Sequence, residues 1–347
     1  MIRFECDYAE GAHPHILEAL VKTNFEQTPG YGEDIYCERA RRAIQKACGD
    51  MSVDVHFLVG GTQTNTTVIA SILRPYQGVV CAETGHINVH ETGAIEATGH
   101  KVLPLPSVDG KIRAYQVREA MNEHLADSGP EHCVQPGMVY ISHPTENGTI
   151  YTKRELTELF QVCQELHLPL FVDGARLGYG LMASGNDLTL EEVTKLCDLF
   201  YIGGTKVGAL FGEAVVISNE TLKKDFRYMM KRHGGLLAKG RLLGIQFTTL
   251  FESGLYCDIS KHAILMAEKI QRAFKDKGIT FLYDSPTNQQ FPILRNSQLD
   301  MLKENYAFAY WKAIDGECSA VRFCTSWATR VEDVEKLVED IKRLESK

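Results

Sequence analysis

The chain has 347 residues, 44% of them hydrophobic and 24% charged, proportions that exclude a disordered, collagen-like or coiled-coil protein. Its 37 Lys and Arg against 45 Asp and Glu give a net charge of −8, the wrong sign for a protein that binds nucleic acid by neutralising phosphates. No apolar run approaches the ~20 residues of a membrane helix and residues 1–10 lack an apolar signal region, so we expect a cytoplasmic protein with no nucleic-acid or membrane partner.

Ten cysteines are scattered singly between residues 6 and 324, without the close pairs that mark a metal site or a disulfide framework. A chain of this length does not need disulfides to hold its core together. We therefore expect the cysteines to be reduced and mostly buried as small apolar residues.

The first two-thirds of the chain alternates short apolar runs with helical patterns. We expect strands at 55–59, 78–81, 137–141, 168–172, 199–202 and 214–217, and helices at 14–24, 35–48, 62–73, 153–167 and 221–231. Near-continuous apolar strands are typical of a mostly parallel sheet covered by helices on both faces. The predicted fold class is therefore α/β.

After about residue 240 the pattern changes to long helices, expected at 241–251, 259–277 and from 331, with short strands around Ile279, Phe291 and Val321. This pattern predicts a smaller α+β domain. We divide the chain into a large domain, residues 1–240, and a small C-terminal domain, residues 241–347.

Polar residues that follow the apolar runs are the candidates for chemistry, because ligands bind beyond the carboxyl ends of parallel strands. The first such segment is Gly60-Gly61-Thr62-Gln63, between a strand and a helix. Glycines let backbone N–H groups approach an anion, and a helix N-terminus offers unpaired donors. The segment predicts a phosphate site, although an ordinary turn capped by Thr has the same composition.

Two further segments carry a charged residue at a strand end. Asp173 follows a buried strand and is either a ligand-binding carboxylate or the cap of the next helix, with Arg176 as its ion-pair partner. Lys206 stands between apolar runs in a glycine-rich segment. Burial lowers the pKa of a lysine and makes it an amine able to form a Schiff base, unless it reaches solvent or an ion pair.

Together the three segments match the requirements of pyridoxal 5′-phosphate, which we predict as the cofactor. The amine holds the aldehyde, the phosphate site anchors the tail, and a carboxylate at the ring nitrogen makes the ring an electron acceptor. A nicotinamide-dependent dehydrogenase is disfavoured because no GxGxxG follows the first strand. His86 and His90 have the i, i+4 spacing of metal ligands but lack a third ligand, so we predict no metal site.

The sequence also resembles the threonine aldolase family from about Phe4 to Val334. The resemblance rests on motifs in the family's order: Phe4-Glu5-Cys6-Asp7, Tyr31-Gly32-Glu33-Asp34, Gly61-Thr62-Gln63-Thr64-Asn65, His86-Ile87-Asn88, Gly93-Ala94, Asp173-Gly174-Ala175-Arg176, Gly204-Thr205-Lys206 and Val321-Arg322-Phe323. That family includes phenylserine aldolases and belongs with the β-eliminating lyases of the aspartate-aminotransferase-like fold. The resemblance implies an aldehyde-lyase that cleaves the Cα–Cβ bond of β-hydroxy-α-amino acids such as L-threonine, L-allo-threonine or phenylserine.

The resemblance also implies roles for the residues that contact the cofactor. Lys206 would bind its aldehyde, Asp173 its ring nitrogen, and the Gly61-Thr62-Gln63 backbone its phosphate. His86 would stack on the ring and is the candidate general base. Stacking on a cationic ring should favour the neutral imidazole.

Other positions concern the substrate and the assembly. Arg176 and Arg322 match arginines that grip a cofactor oxygen and the substrate carboxylate, and Cys6 replaces the family's usual Ser with a weaker donor. Thr145 is expected where the family has a second active-site His. Tyr31 lies in a loop that approaches a neighbouring subunit's phosphate, which implies a homodimer or homotetramer with shared active sites.

Two alternatives remain open at this stage. The same scaffold could catalyse β-elimination or transamination of an amino acid, or the chain could be a non-catalytic binding or assembly module. Asp173, Arg176 and Lys206 together argue against the module, because a structural protein has no need of an amine and two charges at strand ends.

Overall fold

The structure is a computed structural model that describes residues 1–345. Its helices are α1 (Pro14–Thr23), α2 (Ile35–Ala47), α3 (Gly61–Ile72), α4 (His86–Val89), α5 (Ala114–Ala126), α6 (Lys153–Glu165), α7 (Leu177–Leu181), α8 (Leu190–Lys195), α9 (Phe226–Arg232), α10 (Arg241–Glu252), α11 (Leu255–Asp276), α12 (Asn296–Lys303) and α13 (Val331–Arg343). Its strands are β1 (Ile2–Arg3), β2 (Asp54–Leu58), β3 (Gln77–Ala82), β4 (Val102–Leu105), β5 (Gln135–Ser142), β6 (Leu170–Asp173), β7 (Leu199–Gly203), β8 (Glu213–Ile217), β9 (Gln289–Gln290), β10 (Ile293–Arg295), β11 (Tyr306–Ala307), β12 (Ala309–Ala313) and β13 (Cys318–Cys324).

Seven strands form the central sheet, in the order β2-β8-β7-β6-β5-β3-β4. Neighbours from β7 to β4 run parallel, whereas β8 is antiparallel to both β7 and β2. The carboxyl ends of the parallel strands and the amino end of β8 therefore lie at one edge, which we call the carboxyl edge. The mostly parallel sheet with its helices confirms the predicted α/β class.

Alternate residues of the central strands enter apolar clusters on opposite faces of the sheet. Leu170 and Val172 belong to the first cluster, with Phe247 of α10, and Phe171 belongs to the second, with Val68 of α3. Because both faces are buried, the strands are apolar almost without interruption. This is why the sequence pattern located them.

The C-terminal part contains a smaller sheet in which β13 pairs with β9, β10 and β12. A third apolar cluster, including Phe274, Phe323 and Leu337, joins this sheet to α11 and α13. The amino-terminal strand β1 pairs with β11 and so belongs to this part of the molecule. The division at residue 240 stays a prediction, and the last two residues of the predicted small domain, 346–347, lie outside the described range.

Two predicted elements differ from the structure. The helix expected at 221–231 begins only at Phe226, because Asn219 caps a 3-10 turn before it and Asp225 has a left-handed φ of 62°. No described strand includes Ile279, and the nearby Phe281 forms an isolated bridge with Pro292. None of the helices within residues 1–345 has the length and apolar character of a membrane span.

Candidate active site

The carboxyl edge gathers the predicted site residues from four separate segments. Asp173 ends β6, Lys206 follows the end of β7, α3 begins just after β2, and His86 begins α4 just after β3. Charge interactions connect Asp173 with both Lys206 and His86. Segments far apart in the sequence meet here because parallel strands end at the same edge.

Asp173 is 4% exposed, and its carboxylate accepts four hydrogen bonds from the protein. Oδ2 accepts from Tyr140 Oη at 2.6 Å and Asn65 Nδ2 at 3.1 Å, and Oδ1 accepts from Tyr201 Oη at 2.5 Å and Ala175 N at 3.0 Å. The ion pair with Arg176 that the sequence left open is not formed. Neutral donors hydrogen-bond this carboxylate, and the charges of Lys206 and His86 act on it without a direct ion pair.

Lys206 is partly buried among charges of both signs. Burial lowers the pKa of Lys206 and the Arg176 guanidinium lowers it further, while three carboxylates oppose the shift: Asp7, Asp173 and Glu213. The net pKa of the amine lies below its ordinary value. A lowered pKa is what a nucleophilic lysine requires.

Glu213 lies beneath the segment that carries the lysine. It is 4% exposed, pairs in register with Gly203, and accepts the Gly204 N–H at 3.1 Å. Burial raises the pKa of Glu213 to about 8. Sequence analysis missed this residue because β8 is antiparallel, so its first residue and not its last lies at the carboxyl edge.

The start of α3 has the unpaired donors that the anion site expected at Gly61-Thr62-Gln63 would need. The Thr64 N–H donates to the Gly60 carbonyl at 3.0 Å and no side chain caps the helix, so the first three N–H groups have no partner within it. The Thr-capped turn is therefore absent. A Cβ on Gly61 would lie 3.1 Å from Tyr201 Oη, so this glycine lets the helix start approach a phenol that binds Asp173.

His86 is held between two glutamates. Its Nδ1 lies 2.7 Å from Glu91 Oε1, and its backbone N–H donates to Glu146 Oε1 at 3.1 Å. Burial lowers the pKa of His86, but the Glu91 hydrogen bond and the charges of Asp173 and Glu146 outweigh it and the net pKa is raised. The protein's own charges therefore favour the imidazolium, opposite to the effect expected of a cationic ring.

Glu146, and not Thr145, is the residue beside His86. Thr145 Oγ1 lies 2.8 Å from Thr149 Oγ1 within a turn. His143 accepts the Tyr151 N–H at 3.3 Å, and burial lowers the pKa of its imidazole to about 4. The expected correspondence of Thr145 to a family histidine stays a prediction, and the carboxylate next to the imidazole comes from the following residue.

Arg176 binds Asp7, which is fully buried. Arg176 Nε donates to Oδ2 at 2.6 Å and Nη2 to Oδ1 at 3.0 Å, and Asn288 Nδ2 also donates to Oδ2 at 2.9 Å. Burial opposes the charged carboxylate, but Arg176 and Lys206 bring the pKa of Asp7 down to about 2. Asp7 therefore occupies two of the three guanidinium nitrogens of Arg176. The neighbouring Cys6 is partly exposed.

Arg322 reaches the site from β13, in the C-terminal part. Its Nη2 donates to the Glu5 carbonyl at 3.0 Å and its Nη1 to Gln289 Oε1 at 3.2 Å, and its guanidinium lies 5.5 Å from the centre of the Trp311 ring. Its Nε is buried and has no hydrogen-bond partner within the described residues. A buried unpaired donor of this kind favours an anionic ligand.

Tyr31 contacts two basic residues of α9. Its ring lies 4.8 Å from Lys231 Nζ, its carbonyl accepts from Arg227, and its side chain is 47% exposed. Its expected role toward a neighbouring subunit stays a prediction.

Comparisons with known proteins agree with this geometry. The family model described as β-eliminating lyase matches residues 7–297. A low specificity L-threonine aldolase of Pseudomonas sp. is 30% identical over 99% of this chain and 98% of that one. The solved structure of a Leishmania major threonine aldolase has a TM-score of 0.96 and 42% identity over 99% of both chains. An aspartate aminotransferase of Thermus thermophilus shares the fold, with a TM-score of 0.72 and 14% identity over 99% of this chain and 91% of that one.

Proposed function

Because this chain belongs to the threonine aldolases of the β-eliminating lyase family, we propose that it is an aldehyde-lyase that splits L-threonine or L-allo-threonine into glycine and acetaldehyde. Its fold is that of the aspartate-aminotransferase-like, pyridoxal-phosphate-dependent proteins of fold type I. The observation that carries the proposal is the meeting of Lys206, Asp173 and the uncapped start of α3 at one edge of the sheet.

The residues present fit pyridoxal 5′-phosphate. When bound, the cofactor supplies an aldehyde for the lysine amine and a ring that accepts the electron pair of the breaking Cα–Cβ bond. The amine of Lys206 is favoured by its lowered pKa. Asp173 would accept the ring N–H, and the free N–H groups of residues 61–63 would bind the phosphate.

Two arginines would bind the amino-acid substrate. We assign the α-carboxylate chiefly to Arg322, because its Nε is buried without a partner while most of the Arg176 fork is occupied by Asp7. Arg176 would contribute its remaining nitrogen, and Cys6 would lie at the substrate side. Fixing the carboxylate sets the orientation of the bond that breaks.

His86 is positioned to move the proton of the substrate β-hydroxyl. Its Nδ1 faces the buried Glu91, which fixes the tautomer with a proton on Nδ1 and leaves Nε2 as the acceptor. The raised pKa strengthens this acceptor and stabilises the imidazolium that forms. Glu91 therefore orients the imidazole without contacting the substrate.

Compartment and assembly are also proposals: a cytoplasmic homodimer or homotetramer with shared active sites. All ten cysteines are unpaired, as expected in a reducing compartment. Tyr31 is 47% exposed and is therefore accessible to a second copy of the chain, which supports a role at a shared site.

The proposal is tested with the Lys206→Ala variant. We expect loss of the visible absorbance of the bound cofactor and loss of acetaldehyde release from L-threonine to below detection, because the amine proposed to hold the aldehyde is removed. Lys195→Ala, on the exposed surface of α8, is the control and should match the wild type. Aldehyde release by Lys206→Ala would refute the lysine's role, and release of pyruvate with ammonia by the wild type would show β-elimination instead.

A further inference from the structure

Asp173 has few ways to exchange a proton with solvent. It is 4% exposed, and its four donors are two phenols, one amide side chain and one backbone N–H. Amide donors do not release protons readily, whereas hydroxyl groups can pass a proton from one neighbour to the next. Any proton path to this carboxylate therefore runs through Tyr140 or Tyr201.

Only one of the two phenols is connected further. Within residues 1–345, Tyr201 Oη makes no hydrogen bond other than the one to Asp173. Tyr140 Oη lies 3.2 Å from Ser142 Oγ, and Ser142 Oγ lies 2.6 Å from Glu146 Oε1. Tyr140 and Ser142 are themselves buried, at 0% and 7% exposure.

Glu146 is the outer end of this chain of oxygens. The residue is partly exposed, and its second oxygen, Oε2, makes no hydrogen bond within the described range. The charged and titratable groups that act on it are His86 of α4, Asp173 of β6, Arg176 after β6, Tyr140 of β5 and Cys81 of β3. Burial raises the pKa of Glu146, which favours a carboxyl proton that can be passed on.

We propose that Glu146 is the solvent-side end of a proton path to Asp173, with the hydroxyls of Ser142 and Tyr140 between the two carboxyl groups. Ser142 Oγ donates to Glu146 Oε1, and this hydrogen bond reverses when Glu146 is protonated. Glu146 then gives its proton to Ser142 Oγ, Ser142 gives its hydroxyl proton to Tyr140 Oη, and Tyr140 gives its own to Asp173 Oδ2. Three O–H bonds break and three form. Asp173 gains one proton, and the Glu146 carboxylate then takes one from water.

This path rests on the proposed function in one respect, since it matters when Asp173 faces a ring nitrogen that must gain or lose a proton. Glu146 also accepts the His86 N–H, so it is a positioning residue for the imidazole and for Asp173. The two glutamates around His86 then have different roles, because Glu91 orients the ring whereas Glu146 supplies protons to the carboxylate behind it.

The test is a rapid pH jump on the wild-type holoenzyme and its variants, followed by the absorbance of the bound cofactor. We expect Ser142→Ala, Tyr140→Phe and Glu146→Gln each to slow the proton-linked relaxation at least tenfold. Ser142→Thr keeps the hydroxyl and should restore the wild-type rate. Tyr201→Phe removes an equal donor to Asp173 outside the path, so it should change the spectrum but keep the rate within twofold.

Rates within twofold of wild type for Ser142→Ala and Glu146→Gln would overturn the path, and so would equal slowing by Tyr201→Phe. Failure of a different kind, a wild-type protein that binds no pyridoxal phosphate, would contradict the proposed function. In that case, infrared spectra of the cofactor-free protein decide about Glu146. At the same pH, a weaker protonated-carboxyl absorption in Glu146→Gln than in the wild type supports its role, because Glu213 contributes equally to both proteins, and an equal absorption overturns it.

Discussion

Asp173 and Asp198 are aspartates at opposite edges of the same sheet, and each is 4% exposed. Asp173 ends β6 at the carboxyl edge, whereas Asp198 immediately precedes β7 at the other edge. The Asp198 carboxylate accepts from Leu170 N at 2.8 Å, Asn219 Nδ2 at 2.8 Å and Gln164 Nε2 at 3.3 Å. Both carboxylates are equally buried, and both accept several hydrogen bonds.

The difference lies in the chemistry of the donors and in the neighbouring charges. Among the donors of residues 1–345, Asp198 is bound only by backbone and side-chain amides. Asp173 is bound by two phenols and interacts with the charges of Lys206 and His86. A buried carboxylate is therefore not by itself the mark of a site. Exchangeable donors and a nearby amine separate the two positions.

The largest effect should follow from Asp173→Asn. The amide would keep the shape but remove the negative charge proposed to hold the ring N–H, so we expect kcat for threonine cleavage to fall about 10²- to 10³-fold. Circular dichroism and the melting temperature should show a folded protein. Near wild-type kcat in a variant that binds the cofactor would place the electrostatic partner of the ring elsewhere.

Asp198→Asn should have the opposite profile. The new amide would face the donors that now bind the carboxylate, and leaving them unsatisfied costs about 2–3 kcal/mol of unfolding free energy. Urea unfolding measures the loss, and kcat per folded molecule should equal that of the wild type. A loss of kcat without a loss of stability would contradict a purely structural role for Asp198.

Asp7 extends the comparison to a buried aspartate that does have a cationic partner. Its folded-state pKa of about 2 lies below the ordinary value of 3.8. The group's contribution to stability is therefore present above pH 3.8 and is lost as the pH falls from 3.8 through 2, by about 2 kcal/mol in full. Urea unfolding at pH 5 and pH 2.5 should show the loss in the wild type.

The matched control for this acid effect is Asp7→Asn. It removes the titrating group, so its unfolding free energy, although lower at pH 5 because Arg176 loses its partner, should change less between pH 5 and pH 2.5. An equal acid loss in the variant would assign the effect to other carboxyl groups.

The sequence was sufficient to predict the elements that are buried on both faces. β6 and β7 are buried on both faces, so their residues form continuous apolar runs, and the polar residues at and beyond their ends, Asp173 and Lys206, stand out. The α/β class and these two candidate site residues follow from that pattern.

The remainder of the site depends on information that spacing does not carry. In the sequence, Tyr140 and Tyr201 have the pattern of ordinary core aromatics in strands. In the structure their hydroxyls bind Asp173. Glu91 and Glu146 meet at His86 from loops far apart in the sequence. Glu213 is recognised only once the direction of β8 is known.

The contacts of Glu5 and Asp7 limit how far the amino terminus can be shortened. Asp7 neutralises Arg176 beside the sheet and is tied to Asn288, while the Glu5 carbonyl holds Arg322. Removing residues 1–7 would leave the Arg176 guanidinium without its carboxylate partner. It would also remove the Glu5 carbonyl that accepts from Arg322. Truncation at the amino terminus would therefore change the charge balance of the candidate site.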